Sequence, residues 1–366
     1  MIQSRMPIPH HPLRFSLLAL SVGLVAPAFA QAPLDLKECL GLPDTSARLA
    51  CYDRLAGREA MVTLPASPAA VPGTPGAVPV SQAATPATTQ QSENSFMSRY
   101  WELDQADKRG TFNYTSYRPN FFMPLHSMAS VNRNPSSPTR AKASNLPRYQ
   151  NGEAKIQVSL RSKVWENALL PGADLWVAYT QQSMWQLWNR DQSAPFRSTD
   201  YQPEVIYVVP TPASWQALPL GWKWRMTQAG IVHQSNGQPD PLSRSWNRVY
   251  AQVGMERRDL MFNLRLEHRL KTDNSVGDDN PDIQDYMKRA ELQMMWTPGR
   301  STAAVAWRPS FSGKGSVQLD YSYPVFNDRP DGLRWYAQLF QGYGETLLDY
   351  NFKQTSLSLG LTIFKF

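Results

Sequence analysis

Cysteine is almost absent from this chain: Cys39 and Cys51 are the only two among 366 residues. Two thiols without a nearby histidine make an incomplete zinc site, so a structural-metal scaffold is a poor reading. Their spacing suits a disulfide closing a short loop in an oxidising compartment. Long apolar runs are also missing. Beyond residue 30 no stretch reaches the ~18 apolar residues that a membrane-spanning helix needs, and the mean hydropathy is −0.45. That excludes helical spans but not a barrel, whose strands need an apolar residue only at every second position. Polybasic blocks are lacking as well: 37 Lys and Arg stand scattered against 30 Asp and Glu. Nucleic acid is therefore not expected as a partner, whereas a mildly positive surface beside anionic lipid headgroups is physically sensible.

The N-terminus carries an export signal. Arg5 and Arg14 precede an apolar run from Phe15 to Val25, and Ala28-Phe29-Ala30 is a small-residue cleavage site before Gln31. Removing residues 1–30 takes away those two arginines and no acid, so the formal charge falls from +7 to +5. Residues 31–61 read as a small, partly helical periplasmic segment around the cysteine pair. Residues 62–95 are rich in Pro, Ala, Thr, Val and Gln and read as a linker. Residues 96–366 read as one β-rich domain.

Within that domain half-apolar runs recur. Ile156, Val158 and Leu160 alternate with polar residues; so do Leu260, Phe262, Leu264 and Leu266, then Val317, Leu319, Tyr321 and Tyr323, then Leu357, Leu359, Leu361 and Ile363. Twelve such runs are expected, near 112–124, 153–163, 174–188, 199–209, 221–235, 246–256, 259–271, 285–296, 301–308, 315–323, 332–343 and 353–366. An even number of antiparallel strands, an aromatic C-terminus (Phe364, Phe366) and abundant Trp, Tyr and Phe (12, 15 and 14) suit an outer-membrane barrel. Arg257-Arg258 reads as a tight turn, and 236–245 and 272–284 as long polar loops. One run is irregular: Trp222, Trp224 and Met226 have the opposite parity to Ile231, His233 and Ser235. Either a β-bulge near 227–229 reconciles them or those aromatics fill the lumen.

The chemistry gathers in Gly230 to Arg248. His233 and Ser235 share one face of a strand, and Asn247 heads the apolar row Val249, Ala251, Val253 and Met255 of the next. A hairpin centred near Asp240 sets His233 opposite Asn247 and Ser235 opposite Ser245, with Cβ atoms ~4.5–5.5 Å apart. A nucleophile, a base and a neutral orienting amide would then lie on a greasy outer surface, where an ionised carboxylate would be expensive. Against this, His-x-Ser arises easily by chance, and a polar patch at a strand end ordinarily marks the headgroup boundary. The other histidines after the signal, His126 and His268, lack such neighbours in sequence; His268 reads as interfacial.

The segment His233-Gln234-Ser235-Asn236-Gly237 through Pro239-Asp240-Pro241-Leu242-Ser243-Arg244-Ser245-Trp246-Asn247-Arg248 closely resembles outer-membrane phospholipase A. Pro195-Phe196-Arg197, Asp278-Asp279-Asn280-Pro281-Asp282, Gln341 to Glu345 and Asp349-Tyr350-Asn351-Phe352 agree with it. The resemblance spans roughly 110–366 and leaves residues 31–95 outside. It implies an all-β, twelve-stranded antiparallel transmembrane β-barrel with an N-terminal extension, in the bacterial outer membrane. It implies a calcium-dependent phospholipase with A1, A2 and lysophospholipase activity, active as a homodimer on membrane phospholipids. Ser235 would be nucleophile, His233 base and Asn247 the orienting residue. Ca2+ positions carry over to Ser193, Gln238, Ser243 and Asp279. The family usually has Arg at position 238, and Gln238 is harmless there if the ligand is the backbone carbonyl. Without the family, Asp278-Asp279-Asn280 would read as a solvated turn. Two rivals are a non-catalytic porin or adhesin barrel and a barrel lipase acting on lipopolysaccharide acyl chains.

Overall fold

Side chains that alternate in and out build the wall of this molecule. The computed structural model describes residues 95–363 apart from 272–276, 288 and 311, together with Cys39, Arg48, Cys51 and Tyr52. The expected signal segment, most of 31–61, the linker up to residue 94, and Phe364 and Phe366 lie outside the described residues. Cys39 and Cys51 form a disulfide with Cα atoms 5.6 Å apart, as their spacing suggested. They belong to a unit, Met1–Ala84, distinct from Thr85–Phe366.

The second unit holds β1 (Tyr114–Ser116), β2 (Phe121–Met128), β3 (Gly152–Trp165), β4 (Asp174–Trp185), β5 (Phe196–Pro210), β6 (Lys223–Ser235) and β7 (Ser245–Arg257). It continues with β8 (Leu260–Leu270), β9 (Ala290–Trp296), β10 (Thr302–Pro309), β11 (Gly315–Pro324), β12 (Arg334–Gly342) and β13 (Gln354–Thr362). From β2 onward each strand pairs antiparallel with the next, and β13 pairs back onto β2, so β2 to β13 close a twelve-stranded barrel. Closure leaves no unpaired edge facing lipid. The expected strand 112–124 is split. β1 pairs with 160–162 of β3 and β2 with 152–157, so the two pieces lie in line along one neighbour. Pro119 falls in the gap between them, where a missing N–H cannot continue the ladder.

The parity conflict in β6 is resolved by a bulge, but earlier than expected. The register with β7 shifts between Trp224 and Met226. Arg225 and Met226 are both buried, so the extra residue returns Ile231 and His233 to the outward side while Met226 fills the lumen. A second irregularity lies between Leu359 and Leu361 of β13. There Gly360 lets β2 approach so closely that a Cβ would stand 2.2 Å from the Phe122 carbonyl oxygen.

The faces are inverted relative to a soluble protein. Leu160, Val177, Val205, Ile231, Leu266, Leu319, Leu339, Leu357 and Leu359 are exposed on the outer wall. The lumen holds paired charges: Arg265 with Glu204 (3.3 Å) and Glu267 (2.8 Å), and Arg197 with Glu153 (2.9 Å). Buried charges persist because they are paired, and the outer wall suits hydrocarbon.

Both ends of the strand run, β2 and β13, open at the end bearing the two-residue turn Arg258-Asp259, one residue later than expected. The other connections at that end, 166–173, 211–222, 297–301 and 325–333, run from 5 to 12 residues. The opposite end carries the loops 129–151, 236–244, 271–289 and 343–353. Helix α1 (Phe96–Trp101) caps the short-turn end. Its N-cap Ser95 accepts the Ser98 N–H at 2.9 Å, and Met97 N–H donates to Glu256 at 3.3 Å. The Arg161 guanidinium lies 3.8 Å and 4.1 Å from the ring centroids of Tyr100 and Trp101.

Candidate active site

The β6–β7 hairpin ends at the long-loop mouth, and its register decides which side chains meet. His233 pairs with Asn247, and Ser235 with Ser245. Asn236 N–H donates to the Arg244 carbonyl at 3.0 Å, making 236/244 a hydrogen-bonded pair. By alternation 235/245 and 233/247 are non-hydrogen-bonded pairs, whose side chains stand closest. Accordingly His233 Nδ1 and Asn247 Oδ1 are 2.8 Å apart. Ser235 shares the outward face of β6 with His233, two residues on. His233 is exposed, Ser235 and Asn247 are half-buried, and the alternating Val232, Gln234 and Trp246 are buried toward the lumen.

The loop between the strands is locally stapled. Asn236 Oδ1 accepts from the Gln238 and Arg244 amides at 3.3 Å and 2.9 Å, and its Nδ2 donates to the Leu242 carbonyl at 2.8 Å. An amide side chain satisfying three backbone groups holds the turn without regular secondary structure. Gly237 has φ +62°, and a Cβ there would press on the Tyr201 ring at 3.1 Å. Tyr201 itself pairs with Ser235 from β5.

A polar pole lies just above this face. Asp279 Oδ2 accepts from Ser243 Oγ at 2.8 Å and Ser245 Oγ at 3.1 Å, and Oδ1 accepts from Arg140 Nε at 3.0 Å. The neighbouring Asn280 Oδ1 accepts the Ser245 N–H at 3.1 Å. Burial would raise the Asp279 pKa, but the hydrogen bonds from Arg140, Ser243 and Ser245 outweigh it and hold the carboxyl below its ordinary 3.8. Of the four positions carried over for calcium, Ser243 and Asp279 are thus brought together. Ser193 lies in the β4–β5 loop and Gln238 at the hairpin tip, and among the described residues no hydrogen bond ties either to that pair. Nor does any set of three His, Cys, Asp or Glu side chains among the described residues have the geometry to hold a metal ion. One carboxylate with hydroxyl and carbonyl oxygens is nonetheless a hard, all-oxygen donor set that fits Ca2+ chemistry.

Sequence reasoning missed several residues. Ser245 could have been found, because Ser243, Ser245 and Asn247 alternate onto one face. Arg140, from the β2–β3 loop, carried no signal. His126 is the instructive omission. Its Nδ1 lies 2.7 Å from Ser358 Oγ and its Nε2 3.8 Å from Glu153 Oε1, deep in the lumen. His268, by contrast, is exposed on the outer wall opposite Val249, as an interfacial residue would be.

Comparisons with known proteins agree on one family. A family model described as phospholipase A1 matches residues 97–363. A Neisseria meningitidis serogroup B protein whose name as a phospholipase A1 is provisional is 36% identical over 361 residues, covering 92% of each chain. That likeness reaches well beyond the 110–366 over which the resemblance was read. Among solved structures, the Salmonella typhi outer membrane phospholipase dimer with bound calcium superposes with a TM-score of 0.61 at 30% identity, covering 70% of this chain and 94% of that one. Escherichia coli outer membrane phospholipase A, as an active-site mutant with an asparagine replaced by alanine, gives 0.61 at 29% identity with the same coverage.

Proposed function

Because this chain belongs to the phospholipase A1 family and forms a bacterial outer-membrane barrel, we propose that it hydrolyses acyl esters of glycerophospholipids with Ser235, His233 and Asn247. The observation that carries this reading is the 2.8 Å contact between His233 and Asn247 on the outward wall, beside Ser235. With the Asn247 carbonyl oxygen toward Nδ1, that nitrogen holds the proton, and Nε2 is left to take the Ser235 proton. His233 then returns that proton to the leaving alcohol. Asn247 fixes the ring and its tautomer without an ionised group beside hydrocarbon. The Ser235 N–H is one donor for the oxyanion.

Ser243 and Asp279 would hold calcium, with the carbonyl of Gln238 and a group from Ser193 as the remaining oxygen donors. When bound, calcium supplies positive charge beside the developing oxyanion. The S. typhi relative supports this reading, since it is a dimer with bound calcium. The E. coli relative supports the role given to Asn247, since an asparagine is among its active-site residues. A homodimer is further favoured by polar groups on the outer wall beside the nucleophile. Gln181 accepts from Tyr179 OH at 3.1 Å, and Thr199 Oγ1 donates to Ser183 at 3.1 Å, on β4 and β5. Amides and hydroxyls in a lipid belt gain from burial against a second copy.

The test is fatty-acid release from phospholipid micelles by detergent-refolded protein, with and without calcium, before and after serine labelling by a sulfonyl fluoride. Label on Ser235, loss of release and reversible inhibition by EDTA are expected. Undiminished release after full labelling would defeat the trio, and undiminished release in EDTA would defeat calcium. Assays on 1-acyl, 2-acyl and lyso substrates resolve the A1, A2 and lysophospholipase activities. Preference for lipopolysaccharide over phospholipid would favour the rival lipase.

A further inference from the structure

Arg140 occupies an unusual position. It comes from the 129–151 loop, yet its guanidinium bridges two carboxylates on other loops: Nη1 donates to Asp240 Oδ2 at 2.8 Å and Nε to Asp279 Oδ1 at 3.0 Å. The same stretch of loop is pinned at three more points. Ser137 Oγ donates to the Asp279 carbonyl at 2.5 Å, Thr139 Oγ1 donates to the Asp278 carbonyl, and Asn351 Nδ2 donates to the Ser136 carbonyl at 2.9 Å. Two of these three contacts fall on the backbone beside Asp279.

We propose that Arg140 is a tethered counter-cation at the Asp240–Asp279 pole that a divalent cation displaces, loosening residues 136–141. The inference rests on the reading that Ser243 and Asp279 take calcium. Its physical basis is charge. With Arg140 in place the two carboxylates and one guanidinium leave a single net negative charge; without it there are two. Arg140 also uses the Oδ1 lone pairs of Asp279, while Ser243 and Ser245 point hydroxyl protons at Oδ2. A cation that takes Asp279 Oδ1 competes directly with the guanidinium, while the Ser243 and Ser245 oxygens keep lone pairs that can face it. Because Arg140 is a quarter exposed and Asp240 largely exposed, the guanidinium has solvent to move into. The Ser137 and Thr139 contacts lie within three residues of Arg140, so its release frees the segment they pin. The loop thus reports occupancy of the pole.

The experiment uses full-length protein in detergent micelles stripped of metal. Calcium binding is measured by titration calorimetry for the wild type, Arg140→Gln and Asp279→Asn, and backbone hydrogen exchange of 136–141 is followed with and without calcium. Arg140→Gln removes the charge and should tighten calcium binding roughly tenfold at low salt. In the wild type, exchange at 136–141 should rise on calcium saturation; in Arg140→Gln it should be fast in both states. Unchanged or weaker calcium affinity in Arg140→Gln, with wild-type binding intact, would overturn the proposal alone. So would exchange at 136–141 that ignores calcium. If Asp279→Asn binds calcium as the wild type does, or the wild type binds none, the calcium reading falls and this inference with it.

Discussion

The barrel contains two Ser–His groupings on opposite sides of its wall. The outer one sets His233 against Asn247 with Ser235 two residues on along the same face; the inner one sets His126 against Ser358 with Glu153 3.8 Å from its other ring nitrogen. By residue type the inner set looks the more conventional, with a carboxylate as third member. Yet Ser358 and Glu153 are wholly buried, and Glu153 is committed to Arg197 at 2.9 Å. No acyl chain reaches Ser358. The outer set has a weaker third member but faces the phase in which the substrate dissolves. On the proposed function, which way a side chain points, more than which side chain it is, separates chemistry from scaffolding.

That contrast can be broken by direct substitution. Ser235→Ala should lower phospholipid hydrolysis by roughly a thousandfold or more, whereas Ser358→Ala should change the rate per folded molecule by less than about twofold. A large loss in Ser358→Ala with intact folding would collapse the distinction. Glu153→Ala should do the reverse of Ser235→Ala. It leaves buried Arg197 with Asp349, at 2.5 Å, as its remaining carboxylate partner and should cost about 1–3 kcal/mol of stability in denaturant titration, with little effect on the rate of molecules that fold. Asn247→Ala should keep partial activity, down roughly ten- to hundredfold, because it orients the base without exchanging protons. Complete loss at unchanged stability would mean Asn247 does more than position the ring.

Acid should sharpen the comparison more gently. Glu345, in the β12–β13 loop, reaches the inner network and touches Lys155 at 3.1 Å and Ser356 at 2.7 Å. Burial would raise its pKa, but Lys155, His126 and Ser356 bring it below the ordinary 4.5. A depressed carboxyl contributes stability that is fully present above its unfolded value and is lost as pH falls through the lower folded one. The melting temperature in micelles should therefore be flat above the ordinary carboxyl range and drop below it. Glu345→Gln should flatten that drop, and an unchanged acid limb would rule out this contribution.

Much of this was legible in the chain because a barrel writes itself with period two. The runs containing Ile156, Leu264 and Leu359 form outward rows, and the symmetry of the 233–247 hairpin is enough to set its pairing. The break at Pro119 is equally visible in principle, since proline cannot donate to a ladder, although the alternation on either side of it suggests a single run. What stayed hidden was contact across sequence distance. His126 and Ser358 lie on β2 and β13, neighbours only because the sheet closes on itself. Arg140 meets Asp279 through a loop whose path no periodicity describes. Local pattern determines direction along a strand; partners across the lumen or between loops depend on closure and on side-chain reach.

The bulge at Arg225 has a consequence out of proportion to its size. In a pleated strand every odd step of slippage exchanges inside for outside. One surplus residue near the short-turn end of β6 therefore determines whether Ile231, His233 and Ser235 look outward or at the ion pairs within. The gain or loss of a single residue there would turn the face carrying the proposed trio toward the lumen, although none of the three would itself have changed.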